Sequence, residues 1–404
     1  MHEINRSILA KKSDLRLLFL FVLLNGLCFG TLSFALPTLG QVLWSLTAPR
    51  ATIQRDRRAV ARLIQVDQMR LLAATDDLLE RDRAQLVQAV DYSLAYLATP
   101  SAARVYPRFD ISRELMRQSL ERFRELVLTI NNPEELQQAI AQEFNLLQAN
   151  GFDRKGTVQF TGYYEPVYQA SRQADAKFRY PIYRLPPDFK NWAKPHPTRA
   201  QLEKSQRLRG LEIAYLPDLL QAFLIQVQGS AQLQLPDGTT ITVGYGGKTD
   251  QPYNSIGKEL VKDGKIPLAE VTLPRLIAYF QQYPQQLQSY LWRNPSFVFM
   301  RETQGRPATG SLGVPVTAER TIATDKSIFP PGAIALIRTQ IPIADQQGKL
   351  SFRQVSRFVL DQDTGGAITG AGRVDIFMGT GEQAKQRAGL MSHMGELYYL
   401  VLKQ

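Results

Sequence analysis

The chain has 404 residues, 44% hydrophobic and 21% charged, enough for two or three domains of about 100–200 residues and unlike a disordered or coiled-coil composition. Its formal net charge of +11 favours anionic partners such as nucleic acid, a membrane surface or an acidic polymer. Three histidines (His2, His196, His393) and one cysteine (Cys28) exclude a zinc cluster, a disulfide framework and a Cys/His nucleophile pair, and nearly exclude a Ser-His-Asp triad; an enzyme built on this chain would work with carboxylates.

At the N-terminus, Arg6, Lys11, Lys12 and Arg16 precede an uncharged run, residues 17–49, whose first half is intensely apolar. That is the layout of an export signal, with Ser33-Phe34-Ala35 as a small-x-small cleavage candidate. The uncharged residues 17–36 are also long enough to span a bilayer, so a retained anchor is the alternative. Arg50, Arg55, Arg57, Arg58 and Arg62 follow the segment and leave its orientation unset. Cys28 follows Leu27, a poor lipoprotein cleavage box, and cleavage after Ala35 would leave a mature chain without cysteine, suited to an oxidising envelope. Export removes nucleic acid from the anionic partners.

Residues 50–150 read as helical. Leu63, Val66, Met69, Leu71 and Leu72 recur at helical spacing, as do Leu115, Leu120, Phe123, Leu126 and Val127. Asn132-Pro133-Glu134-Glu135 is a helix start, with proline in the first turn and acids against the helix dipole. Between residues 50 and 83, Asp67, Asp76, Asp77, Glu80 and Asp82 interleave with arginines, the pattern of a solvated helix face. Residues 50–84 are expected to form either a stalk that spaces the rest from a membrane or an arm that folds back onto it.

At Gly151 the texture changes to short strands with frequent proline and glycine. Val158 to Phe160 and Tyr180 to Tyr183 alternate like strands, and Phe223 to Gln228 reads as a strand running into a Gly229-Ser230 turn. Leu233 to Leu235 and Thr240 to Val243 form a hairpin across Asp237-Gly238. Helices are expected over 257–262 and 273–281, then strands over 333–339, 357–360, 374–378 and 397–401.

The candidate chemistry lies in this half. Thr161-Gly162-Tyr163-Tyr164-Glu165-Pro166 places two aromatics and an acid beside glycine and proline, groups that carbohydrate sites use because aromatic faces pack on sugar C–H surfaces. The competing reading is tyrosines in a core. Gln228-Gly229-Ser230 alone is an ordinary turn, and Tyr245-Gly246-Gly247-Lys248-Thr249 has the wrong glycine spacing for a phosphate loop. Asp363-Thr364-Gly365 resembles the aspartic-protease motif, but no second copy supplies the carboxylate dyad. Asp325 stands in a Pro-Gly loop, and Asp375 lies inside an apolar strand pattern of Val374, Ile376 and Phe377. An acid there is either ion-paired with Arg373, which lowers its pKa, or buried with a raised pKa for proton transfer.

Taken in order, the Thr161 and Gln228 motifs, Thr198-Arg199-Ala200, Gly210 to Tyr215, Tyr253 to Lys258, Asn294 to Phe299 and the three aspartate motifs resemble the membrane-bound lytic murein transglycosylase A family. The resemblance runs from about Gln85 to the C-terminus. It departs at Ala231 and Val374, where glycine is commoner, and in the absence of a lipoprotein cysteine. It implies a mainly β fold with N-terminal helices: a double-psi β-barrel split in sequence by an inserted second β-rich domain, with a glycan groove between them. The expected division is a signal or anchor over 1–49, a helical region over 50–104, barrel over 105–167, insert over 168–299 and barrel again over 300–404.

The resemblance further implies that Asp375 is the catalytic acid and base, that Asp363 and Asp325 shape or polarise the site, and that Thr161, Tyr163, Tyr164, Gln228, Gly229 and Ser230 bind substrate, with no metal and no cofactor. Its substrate would be the glycan strands of peptidoglycan. The partners implied are those strands, the membrane if the N-terminal segment is uncleaved, and other cell-wall enzymes in complexes, all at the cell envelope. Two rival outcomes stay open: an inverting muramidase in which Asp363 or Asp325 activates water, and an expansin-like module that binds wall polysaccharide without cutting it.

Overall fold

The computed structural model describes residues 62–67 and 75–404. The export or anchor segment and the residues at 68–74 lie outside them. Among the described residues, no helix is long and apolar enough to cross a membrane.

In chain order the first part comprises β1 (Leu63–Val66), α1 (Leu79–Leu97), α2 (Pro100–Val105), α3 (Arg113–Thr129), α4 (Pro133–Glu143), β2 (Phe144–Ala149) and β3 (Val158–Glu165). Helix α3 starts where Ser112 caps the Leu115 amide, and it buries Met116, Leu120, Phe123 and Val127, one face at a spacing of three to four. Asn132 caps α4, with Pro133 in the first turn, as its sequence requires.

The inserted part comprises β4 (Val167–Gln169), β5 (Tyr180–Tyr183), α5 (Arg199–Lys204), β6 (Glu212–Leu216), α6 (Leu219–Gln228), β7 (Ser230–Gln234), β8 (Thr240–Lys248), α7 (Ile256–Lys262), α8 (Leu273–Gln282), α9 (Pro284–Trp292) and β9 (Val298–Glu302). The chain then returns through β10 (Thr321–Ala323), β11 (Ile334–Ala344), β12 (Leu350–Asp363), β13 (Arg373–Thr380), α10 (Gly381–Leu390) and β14 (Ser392–Leu402).

Strands β14, β11, β12, β10, β13 and β3 pair in that order, and β14 pairs again with β3, so six strands close into a barrel. Two of the pairings, β10 with β12 and β13 with β3, are parallel. This is the split barrel that the family resemblance implies. One edge of β14 pairs first with β3 and then with β2, which carries β1 outside the ring. Strand β11 is buried over Ile334 to Ile337 without alternation, because one face fills the barrel and the other is covered. Phe123 of α3 and Phe358 of β12 meet edge to face at 5.1 Å within one apolar core that joins the N-terminal helices to the barrel.

In the insert, β4, β7, β8 and β9 form a four-stranded sheet, and β5 pairs with β6. The β7–β8 hairpin turns at Asp237-Gly238. With five helices of its own, the insert is a mixed α/β unit, and so is the whole chain.

Phe144–Ala149, inside the stretch read as helical, is strand β2, and two further expectations need correction. Phe223 to Gln228 is the end of helix α6, not a strand. Ala222 and Ile225 enter the core over the insert sheet, whereas Leu220, Phe223 and Leu224 enter the helical core on the other side. A helix buried between two cores is apolar nearly all round, so periodicity cannot separate it from a buried strand. The second correction concerns the arm. Leu63–Val66 is a strand paired with β2, and three of the acids at 76–82, Asp76, Asp77 and Asp82, face the barrel in ion pairs while Glu80 stays exposed. Arg320, with no exposed side-chain surface, is gripped by Asp76 and Asp82, the latter at 2.7 Å from Nε. Asp77 holds the buried Arg357 through two hydrogen bonds of 2.8 Å. The described part of the arm is latched to the barrel by ion pairs from which water is largely excluded.

Candidate active site

Strand register brings the two most telling aspartates to one patch of the barrel. Ala323 of β10 is paired with Asp375 of β13 on one side and Asp363 of β12 on the other. Their Cα atoms are thus about two strand spacings apart, roughly 10 Å. On its far side Asp375 stands level with Thr161 of β3.

Asp375 receives the Thr161 hydroxyl in a close hydrogen bond to Oδ1. Arg373, two residues earlier and so on the same strand face, donates from Nη2 to Thr161 Oγ1 at 3.1 Å and lies 3.6 Å from Asp375 Oδ1. Burial drives the Asp375 carboxyl up to a pKa of about 6; the Arg373 charge and hydrogen bond oppose this, and Asp363 adds a smaller upward push. Both environments read from the sequence therefore act on one residue, and burial wins. The side chain retains 18% exposure, enough for contact with a ligand.

Asp363 is held differently. Tyr163 donates its hydroxyl to Oδ2 at 2.9 Å, and the amides of Ser311 and Thr364 each donate to Oδ1 at 2.8 Å. Burial raises its pKa against these donors. Desolvation and the neighbouring Asp363 charge keep the Tyr163 hydroxyl well above its ordinary value, hence a donor. Asp325 accepts from the Ser327 amide and hydroxyl and, through Oδ2, from the Gly370 amide at 2.8 Å, tying two loops together.

Tyr164 and Gln228 meet where barrel and insert face each other. Gln228 Oε1 accepts the Tyr164 amide at 3.0 Å, and both side chains line a cavity of about 190 Å³ with Gly162, Tyr253 and Ala388. A side chain at Gly162 would come within 2.8 Å of the Ala388 Cα, so only glycine lets α10 close on β3 here. Gly229 caps α6 at φ +84, and Ser230 is buried at the start of β7 opposite Gly244.

The sequence motifs assigned no site role to Asp361, Tyr253 or Lys248. Asp361 is fully buried in β12, bound by Lys326, Thr324 and Tyr399, whose hydroxyl donates at 2.7 Å. An acid inside the apolar run Val359-Leu360-Asp361 is the same signal that singled out Asp375. Lys326 also reaches the Asp363 carbonyl, so this pair fixes the end of β12 beneath Asp363. Tyr253 feels the charges of Arg373 and Asp375. Together with Lys248 it backs onto Gly366, which brings the insert against the loop after Asp363. Among the described residues no cluster of three or more His, Cys, Asp or Glu is arranged to hold a metal ion. The site thus offers one protonatable carboxyl near neutrality, steadied by a hydroxyl and a guanidinium, beside a second carboxyl occupied by three donors.

Family models match the chain over residues 159–301, as the MltA specific insert domain, and over residues 320–401, as a 3D domain. The membrane-bound lytic murein transglycosylase A of Escherichia coli K12 is 34% identical over 255 residues, covering 63% of this chain and 68% of that protein. Its counterpart in Vibrio cholerae is 31% identical over 340 residues, covering 80% and 90%. Among solved structures, the membrane-bound lytic murein transglycosylase of Agrobacterium tumefaciens superposes with a TM-score of 0.67 at 26% identity, over 84% of this chain and 98% of that one. E. coli MltA with bound chitohexaose gives 0.67 at 27% identity, over 85% and 94%.

Proposed function

The chain belongs to the membrane-bound lytic murein transglycosylase A family, and from that premise we propose that Asp375 is the single acid and base of its reaction. The protein is a peptidoglycan lytic transglycosylase of the cell envelope. Its substrate is the glycan strand, cut at the β-1,4 bond between N-acetylmuramic acid and N-acetylglucosamine.

The observation that carries the assignment is the state of Asp375: a pKa near 6, with Thr161 and Arg373 both on Oδ1. Oδ2 is then the oxygen that exchanges the proton. The protonated carboxyl donates to the glycosidic oxygen as the C1–O bond breaks. The resulting carboxylate takes the proton of the C6 hydroxyl of the same muramic acid, whose oxygen attacks C1 and closes a 1,6-anhydro ring. No water is consumed, and Asp375 ends protonated again. Because the nucleophile is intramolecular, its effective concentration replaces a bound water and a second catalytic carboxylate.

Hydrolysis by inversion would need a second, free carboxylate to activate water. Asp363 has both oxygens taken by three donors and suits a shaping role better than a base. Asp325 serves as a loop tie, and Tyr164 and Gln228 as part of the groove wall. The uncharged segment at 17–49 would deliver the enzyme to the envelope, as a cleaved signal or a membrane anchor. Mass spectrometry of digested peptidoglycan tests the reading: 1,6-anhydro ends are expected, whereas new reducing ends would make the protein a hydrolase and uncut glycan a binding module.

A further inference from the structure

The excess positive charge has an address. Residues 184–211 leave the β5–β6 pair and return to it, closed by the Arg184 amide donating to the Leu211 carbonyl at 2.8 Å. This excursion has its own small core, in which Trp192, Leu202 and Leu208 pack on Phe297 and Phe299. It contains seven basic and two acidic residues, a net charge of +5 out of the chain's +11.

Both acids are matched inside the lobe. Glu203 lies 3.2 Å from the buried Arg199, and Asp188 lies 3.9 Å from Arg207, whose guanidinium stacks on Trp192. Arg184, Lys190, Lys194, Lys204 and Arg209 are exposed and surplus to these pairs. Evenly mixed charge would suit a merely solvated surface; this excess of one sign suits a polyanion.

The lobe is also tied to the segment that leads to the cavity between barrel and insert. The His196 amide donates to Asp250 at 2.8 Å, and the Gln251 side chain donates to the His196 carbonyl. Two residues further on is Tyr253, which feels the charges of Asp375 and Arg373. The basic lobe is therefore anchored to the wall segment that leads to the catalytic carboxyl.

We propose that this lobe binds the carboxylates of the peptide stems that peptidoglycan strands carry, alongside the glycan seated in the groove. The inference rests on the transglycosylase reading and names which part of the polymer the insert recognises. Long, exposed lysine and arginine side chains match flexible acidic peptides better than a rigid ligand, because each contact is weak and mobile and several act together.

The test compares wild type with a fourfold variant, Lys190→Glu, Lys194→Glu, Lys204→Glu and Arg209→Glu, and with its milder fourfold glutamine counterpart. Each is assayed on intact peptidoglycan and on glycan stripped of stems by an amidase. At low salt KM for stem-bearing material should rise about tenfold for the glutamate variant and less for the glutamine one, with kcat kept. High salt should close the gap, and KM for stripped glycan should not change. Unchanged KM on intact material, or an equal rise on both substrates, would overturn the proposal. So would capture of wild type by phosphatidylglycerol vesicles that charge reversal abolishes while binding to intact peptidoglycan persists. Co-sedimentation with intact peptidoglycan reads the lobe without cleavage, so a protein that bound through it but made no anhydro ends would overturn the transglycosylase reading alone.

Discussion

Thr161 stands beside Asp375 in the parallel register of β3 and β13 and donates its hydroxyl to Oδ1 of that carboxylate. Because the same hydroxyl accepts from Arg373, a guanidinium, a hydroxyl and the carboxyl form one chain. The hydroxyl orients the acid and stabilises its ionised form. Thr161→Val keeps the shape and removes the bond. We expect kcat to fall roughly tenfold and the alkaline limb of the pH profile to move upward, measured as anhydro-product release against pH; a profile that stays in place would show that Thr161 only fills space.

Replacing Asp375 by asparagine leaves volume and polarity nearly unchanged but removes the transferable proton. Cleavage should fall by about 10²–10⁴-fold while glycan binding and the thermal midpoint persist. Near-normal turnover by a folded Asp375→Asn protein would move the acid to another residue.

With a carboxyl near pKa 6 that must start protonated, kcat/KM should fall as pH rises through about 6. Arg373 holds that value down, since a nearby cation favours the charged carboxylate. Arg373→Met should therefore shift the limb to higher pH. A shift in the opposite direction would mean that the limb reports another group.

Arg320 depends on Asp76 and Asp82 for its compensation. Asp76→Ala leaves a buried guanidinium half-neutralised and should cost about 3–5 kcal/mol, read from denaturant unfolding. Deleting residues 1–84 removes both acids together with β1 and should abolish folding. A stable, active deletion product would make the arm a detachable stalk instead.

Much of this protein is written locally. The Asn132-Pro133 helix start, the Asp237-Gly238 hairpin and the ordered motifs need only neighbouring residues, and Asp375 was conspicuous because an acid interrupted an apolar strand. Asp361 carried the same signal, so the pattern alone could not say which acid keeps an exposed surface and which is sealed against Lys326 and Tyr399. Tertiary structure decided that, along with the helical state of Phe223 to Gln228, whose second apolar face exists only because two cores flank it. It also turned a mixed-charge stretch into a latch, since Asp76 finds Arg320 across 244 residues of chain. Side-chain type and spacing determine what a residue can do, whereas pKa and partnership depend on burial and on atoms brought close by distant segments. No local pattern encodes those.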